Sequence, residues 1–98
     1  NKAQRLHSKF INPEEAGFLN TEDVVEMTRA WSCKESLLKL AGRKGLIFKK
    51  DLLIESVPGN DQFLCSIHTN SGKKYVNLTS KVVDNMIITI NHTDLYSR

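Results

Sequence analysis

Lys34, Glu35 and Lys39 stand out as the residues whose types and spacing suit phosphate chemistry. Trp31, Glu35 and Lys39 recur at i, i+4 and i+8, so on a helix their side chains stack along one line. Lys34 is placed differently. At about 100° per residue, Val24, Met27, Ala30, Trp31, Leu37, Leu38 and Ala41 share an arc of about 140°, the face that would cover a sheet, and Lys34 projects near its middle. A buried ammonium costs several kcal/mol unless it is paired, so Lys34 must snorkel to water, meet a carboxylate or meet a bound anion. Spacing leaves two readings open. In one, Glu35 pairs with Lys39 inside the helix and Lys34 snorkels off the apolar face. In the other, Glu35 holds a hard cation such as Mg2+ while the neighbouring lysines hold phosphate oxygens.

The elements that must position these residues are legible from caps, turns and periodicity. Asn12-Pro13-Glu14-Glu15 opens a short helix to about Leu19, with Asn12 as cap, Pro13 at the first helical position and Glu15 where a capping box needs a carboxylate. Thr21 caps a second, long helix to about Ala41, with Glu22 and Asp23 favourable at its positive end and Gly42 and Gly45 stopping it. The period then becomes strand-like. Asp51 to Val57, Gln62 to Thr69, Lys74 to Leu78 and Met86 to Asn91 read as strands, separated by turn chemistry at Pro58-Gly59-Asn60-Asp61 and Asn70-Ser71-Gly72-Lys73. Met86 to Asn91 is apolar and β-branched enough to be expected in the middle of the sheet. The fold class is therefore α+β: a single domain over residues 1–98, with N-terminal helices packed on a small antiparallel β-sheet.

Composition narrows the classes. At 40% hydrophobic and 26% charged, the chain has the balance of one small globular domain, and its apolar runs fall far short of the ~20 residues a spanning helix needs. No membrane partner is expected. The net charge of +3 suits an acidic or phosphorylated partner without demanding one. Cys33 and Cys65 lack metal or redox spacing and read as buried free thiols of a cytoplasmic protein. His7, His68 and His92 share no ligand spacing, and Ser32 and Ser36 have no histidine at helical reach, which argues against nucleophilic serine chemistry. Phe48, Phe63 and Tyr75 lie on strand-like segments near lysines, but no RNP-like or G-x-x-G element accompanies them, so nucleic acid is not the expected partner.

Trp31-Ser32-Cys33-Lys34-Glu35-Ser36-Leu37-Leu38-Lys39, followed by Gly42 and Lys44-Gly45-Leu46, resembles the W-x-x-K-E-[SA]-x-x-K signature of the 4′-phosphopantetheinyl transferases, the holo-acyl-carrier-protein synthase superfamily. Lys9-Phe10-Ile11-Asn12-Pro13-Glu14-Glu15 is similar to the segment that leads into that helix, and the later strands match the second half of the larger, pseudo-twofold members in pattern. The resemblance implies a C-terminal half of such an enzyme, moving the 4′-phosphopantetheine arm of coenzyme A onto a serine of an apo acyl or peptidyl carrier protein. It implies Glu35 as a Mg2+ ligand and catalytic residue, Lys39 as catalytic and in contact with the diphosphate of coenzyme A, and Lys34 as a further cofactor-side or supporting residue. Developing charge on the bridging and leaving oxygens is what a divalent ion and an ammonium would stabilise.

The family's other metal ligands belong to an Asp-x-Glu motif upstream of the Phe10 segment, and Asn1 to Lys9 hold no carboxylate. The expectation is that this motif precedes Asn1 in a longer parent, that an N-terminal half or another subunit completes the cleft, and that the isolated chain is inactive. Lys2, Arg5, Lys9 and Arg29 are candidates to meet an acidic helix of the carrier protein. The alternative is a small basic α+β binding module for nucleic acid or an acidic protein, without catalysis.

Overall fold

A computed structural model describes residues 5–42, 46–69 and 72–97. A 3-10 turn (His7–Lys9) leads into α1 (Pro13–Ala16) and α2 (Val24–Ala41), followed by β1 (Leu52–Ser56), β2 (Gln62–Thr69), β3 (Gly72–Val83) and β4 (Met86–Asn91). The strands form one antiparallel meander in the order β1-β2-β3-β4, and α2 packs on it. The α+β expectation holds at that level.

Local chemistry accounts for the helix boundaries. Asn12 Oδ1 accepts from the Glu15 N–H at 2.9 Å and Glu15 Oε1 accepts from the Asn12 N–H at 3.0 Å, a reciprocal capping box. α1 is shorter than expected, because bonds from Gly17 N to Glu14 O and from Phe18 N to Glu15 O tighten its end after one turn and let Leu19 drop into the core. α2 begins at Val24, two residues later than a cap at Thr21 would place it. Asp23 is its cap, accepting from the Glu26 N–H at 3.0 Å, while the Asn20 side chain binds the Glu22 N–H and holds the preceding turn. Gly42 ends α2 in a left-handed conformation (φ 63°) that a side chain would oppose. Gly45, the other expected stop, lies outside the described residues, as do Lys44 and the turn residues Asn70 and Ser71.

The sheet departs from expectation in three places. β1 is trimmed at both ends, to Leu52–Ser56. β3 is twelve residues long and begins at Gly72, so Gly72 and Lys73 belong to a strand rather than to the turn before it. It runs on to Val83, where Asp84 and Asn85 both take positive φ (50° and 65°) and close a two-residue hairpin onto Met86. β4 is at the edge, not in the middle. Consecutive hairpins place the last strand outermost, and only Ile87 and Thr89 are partly covered, while Met86 (64% exposed), Ile88 and Ile90 lie open.

The core lies between α2 and the inner sheet face. Met27, Ala30, Cys33 and Leu37 meet Leu52, Ile54, Phe63, Cys65, Ile67, Val76 and Leu78, with Phe10, Ile11 and Leu19 closing one side. Lys34 sits among them at 0% exposure. Val24 and Trp31, expected on the covering arc, are exposed because both lie at the same edge of it, while Cys33, just beyond the opposite edge, takes a core position.

Candidate functional site

Three side chains on the exposed rim of α2 define the candidate site. Trp31 is 38% exposed, and Glu35 and Lys39 follow it at single-turn intervals, both exposed. No ion pair or hydrogen bond joins Glu35 to Lys39, or either of them to another side chain, among the described residues. The intrahelical pair does not form. A carboxylate and an ammonium are thus both presented to solvent with their bonding capacity free.

Lys34 points the other way. Its Nζ donates to Glu15 Oε1 at 2.7 Å, Phe10 O at 2.5 Å and Phe48 O at 2.9 Å. An ammonium has three N–H donors, and all are engaged. Lys34, expected as a cofactor-side or supporting residue, is thus enclosed in the fold with all three donors engaged and no exposed surface. Desolvation pulls its pKa below the ordinary lysine value, opposed by the hydrogen bond and charge of Glu15. Glu15 is equally enclosed, its Oε2 accepting from the Ile54 N–H at 2.6 Å while Oε1 serves both Lys34 and the cap of α1. Its role as the counter-charge was missed because its capping function already explained it. The signal was present all the same, since a lysine in the middle of an apolar face requires a carboxylate from elsewhere in the chain.

Trp31 opens onto a groove. Its ring packs against both Phe10 (centroids 5.1 Å apart, planes at 75°) and Phe48 (5.0 Å, 45°). Leu6, Lys9, Phe10, Trp31 and Phe48 line about 280 Å3 of almost wholly apolar space. Since Trp31 and Glu35 stack on one helix edge, the groove, the carboxylate and the Lys39 ammonium follow one another along α2.

Other expected participants have structural roles. Arg29 is engaged within the fold: Nε donates to Ser80 O at 2.7 Å, Nη2 to Asn60 O at 2.7 Å and to Asp61 Oδ1 at 3.1 Å, and the guanidinium lies 5.0 Å from the centre of the Phe63 ring. Ser32 Oγ shares a hydrogen bond with Thr89 Oγ1, joining α2 to β4. Cys33 and Cys65 are buried free thiols; hydrogen bonding between them and burial raise the Cys65 pKa well above the usual thiol range. Phe63 is in the core, Phe48 packs on Trp31, and Tyr75 pairs through its backbone with Tyr96, so the three aromatics form no common stacking platform. Arg5 and Lys9 are exposed, and Lys2 lies outside the described residues.

Among the described residues, no three His, Cys, Asp or Glu side chains gather where they could hold a metal ion. Glu35 can supply one oxygen ligand. Mg2+ is commonly held by one or two carboxylates together with substrate phosphates and water, so this single carboxylate fits as part of a site and not as a whole one. No described helix is long and apolar enough to cross a membrane. Comparison with protein-family models, with curated proteins and with solved structures finds no match to this chain.

Proposed function

We propose that this chain is part of a 4′-phosphopantetheinyl transferase, which moves the phosphopantetheine group of coenzyme A to a serine of an apo acyl or peptidyl carrier protein in the cytoplasm. The observation that carries the reading is the division of labour on α2: Lys34 is consumed inside the fold, while Glu35 and Lys39 are left open and unpaired one turn apart. A surface helix with nothing to bind gains by letting such a pair close on itself.

In this reading, Lys39 holds oxygens of the coenzyme A diphosphate, where the bridging oxygen gains charge as the serine hydroxyl attacks and adenosine 3′,5′-bisphosphate departs. Glu35 contributes one ligand to Mg2+, which when bound neutralises the diphosphate. The remaining carboxylates come from outside these residues, from an N-terminal half of the same enzyme or from another subunit. The resemblance in Trp31 to Lys39 and in Lys9 to Glu15 supports the reading.

The rival, a basic module without catalysis, is favoured by the exposed Arg5, Lys9, Lys39 and Lys50 and the net charge of +3. Calorimetric titration of the full-length protein with coenzyme A, with and without Mg2+, separates the two. The transferase reading requires Mg2+ to tighten binding and Glu35→Gln to abolish that gain. Binding that ignores Mg2+ and is unchanged or improved by Glu35→Gln would favour the module, since a lone carboxylate beside an anion only repels it.

A further inference from the structure

The apolar groove depends on two backbone segments far apart in sequence. Phe10 ends the segment that contains the 3-10 turn, and Phe48 lies in the connection between α2 and β1. Their rings both pack on the Trp31 ring and line the groove with it. Their carbonyl oxygens are two of the three acceptors of Lys34 Nζ, at 2.5 and 2.9 Å. The same two residues therefore meet α2 twice, through rings on its exposed edge and through carbonyls in its interior. Glu15, the third acceptor, belongs to α1 and is itself held by β1 through the Ile54 N–H, which fixes the ammonium in place. A further link, Asn12 Nδ2 to Lys49 O at 3.1 Å, joins the neighbouring residues of the two segments but touches neither ring.

We propose that Lys34 is a positioning residue for the Trp31 groove: by holding the Phe10 and Phe48 carbonyls from inside the core, it sets the separation of the two rings that wall the groove beside Glu35. The lysine next to the exposed glutamate thus acts on the site through backbone, without touching a ligand. This holds for whichever ligand the groove accepts, so it stands apart from the transferase reading. A methionine at position 34 would fill the volume and leave both carbonyls without their shared donor, free to move apart. Glutamine at position 15 removes charge but leaves Lys34 with the two N–H groups that the carbonyls need, since an amine has at least two in either protonation state.

Trp31 is the only tryptophan in the chain, so its emission reports the groove directly. Two variants are compared with the unaltered protein by far-ultraviolet circular dichroism, emission maximum and acrylamide quenching: Glu15→Gln, and the charge-balanced double variant Lys34→Met/Glu15→Gln. Both are expected to fold. The double variant should show a red-shifted Trp31 emission and a larger quenching constant, whereas Glu15→Gln should lose stability yet keep the emission and quenching of the parent. Wild-type emission and quenching in the double variant would overturn the proposal. So would an equal shift in Glu15→Gln, which would make the ion pair a general stabiliser. Failure of either variant to fold also overturns it, because the pair would then be needed for the fold as a whole.

Discussion

Replacing Lys34 by methionine keeps the side-chain length and the apolar stem but removes a buried positive charge from the core. The structure allows the cost to be sized. Glu15 would stay buried at 2% exposure, with two backbone N–H donors and no counter-charge, and the Phe10 and Phe48 carbonyls would lose their donor. Breaking a buried pair from one side costs about 3–5 kcal/mol, against total stabilities of about 5–15 kcal/mol for domains of this kind. With a urea dependence of about 1.5 kcal/mol per M, the unfolding midpoint should fall by about 2–3 M, and a marginal parent would not fold at all. Adding Glu15→Gln removes the stranded charge, so the double variant should recover part of the loss, with a coupling energy of about 0.5–3 kcal/mol in the cycle. The assay is urea unfolding of all four proteins, followed by circular dichroism. A loss below about 1 kcal/mol for Lys34→Met, the usual worth of an exposed ion pair, would refute the placement of this lysine in the core.

Three further outcomes follow from the same geometry. Because the folded Lys34 has a pKa below 10.5 while the unfolded chain keeps the ordinary value, the unfolded state binds more protons between the two, so stability gains a contribution as pH rises through that window. Urea midpoints from neutral to alkaline pH should therefore rise relative to those of Lys34→Met/Glu15→Gln, and a relative fall would contradict the desolvation argument. Arg29→Ala removes charge-assisted bonds to Ser80 O, Asn60 O and Asp61 and should cost about 1.5–3 kcal/mol in thermal or urea unfolding; a change within error would mean that the clamp contributes nothing. Cys33 and Cys65 should resist a thiol reagent in the native protein and react together in denaturant, because both are buried and the Cys65 thiol is held protonated by its Cys33 hydrogen bond and by burial. Rapid labelling without unfolding would oppose that placement.

Features written in short spans of sequence were legible, and features settled by distant partners were not. The cap at Asn12 with Glu15, the stop at Gly42 and the bounds of β2 and β4 follow from chemistry within a few residues. The position of β4 does not, because an apolar, β-branched run marks a good strand without saying whether both faces are covered. The hairpin at Asp84 and Asn85 went unnoticed since it contains no glycine, although Asp and Asn tolerate left-handed backbone better than most residues. On the helix rim, the i, i+4, i+8 line of Trp31, Glu35 and Lys39 was readable from period alone. Which lysine faces inward was also readable, but its partner, 19 residues away in α1, was hidden by Glu15's second role. Arg29 looked like a free surface charge because its acceptors lie 31 to 51 residues further along the chain.

The measurement that bears most directly on the function is transfer itself. The full-length protein and its Glu35→Gln variant are incubated with an apo carrier protein, coenzyme A and Mg2+, and the carrier is weighed by intact mass spectrometry. We expect the parent to load the carrier with phosphopantetheine and Glu35→Gln to lose nearly all transfer while its circular dichroism and melting are retained. A folded variant that loads the carrier as fast as the parent, or a parent that loads none, would contradict the assignment.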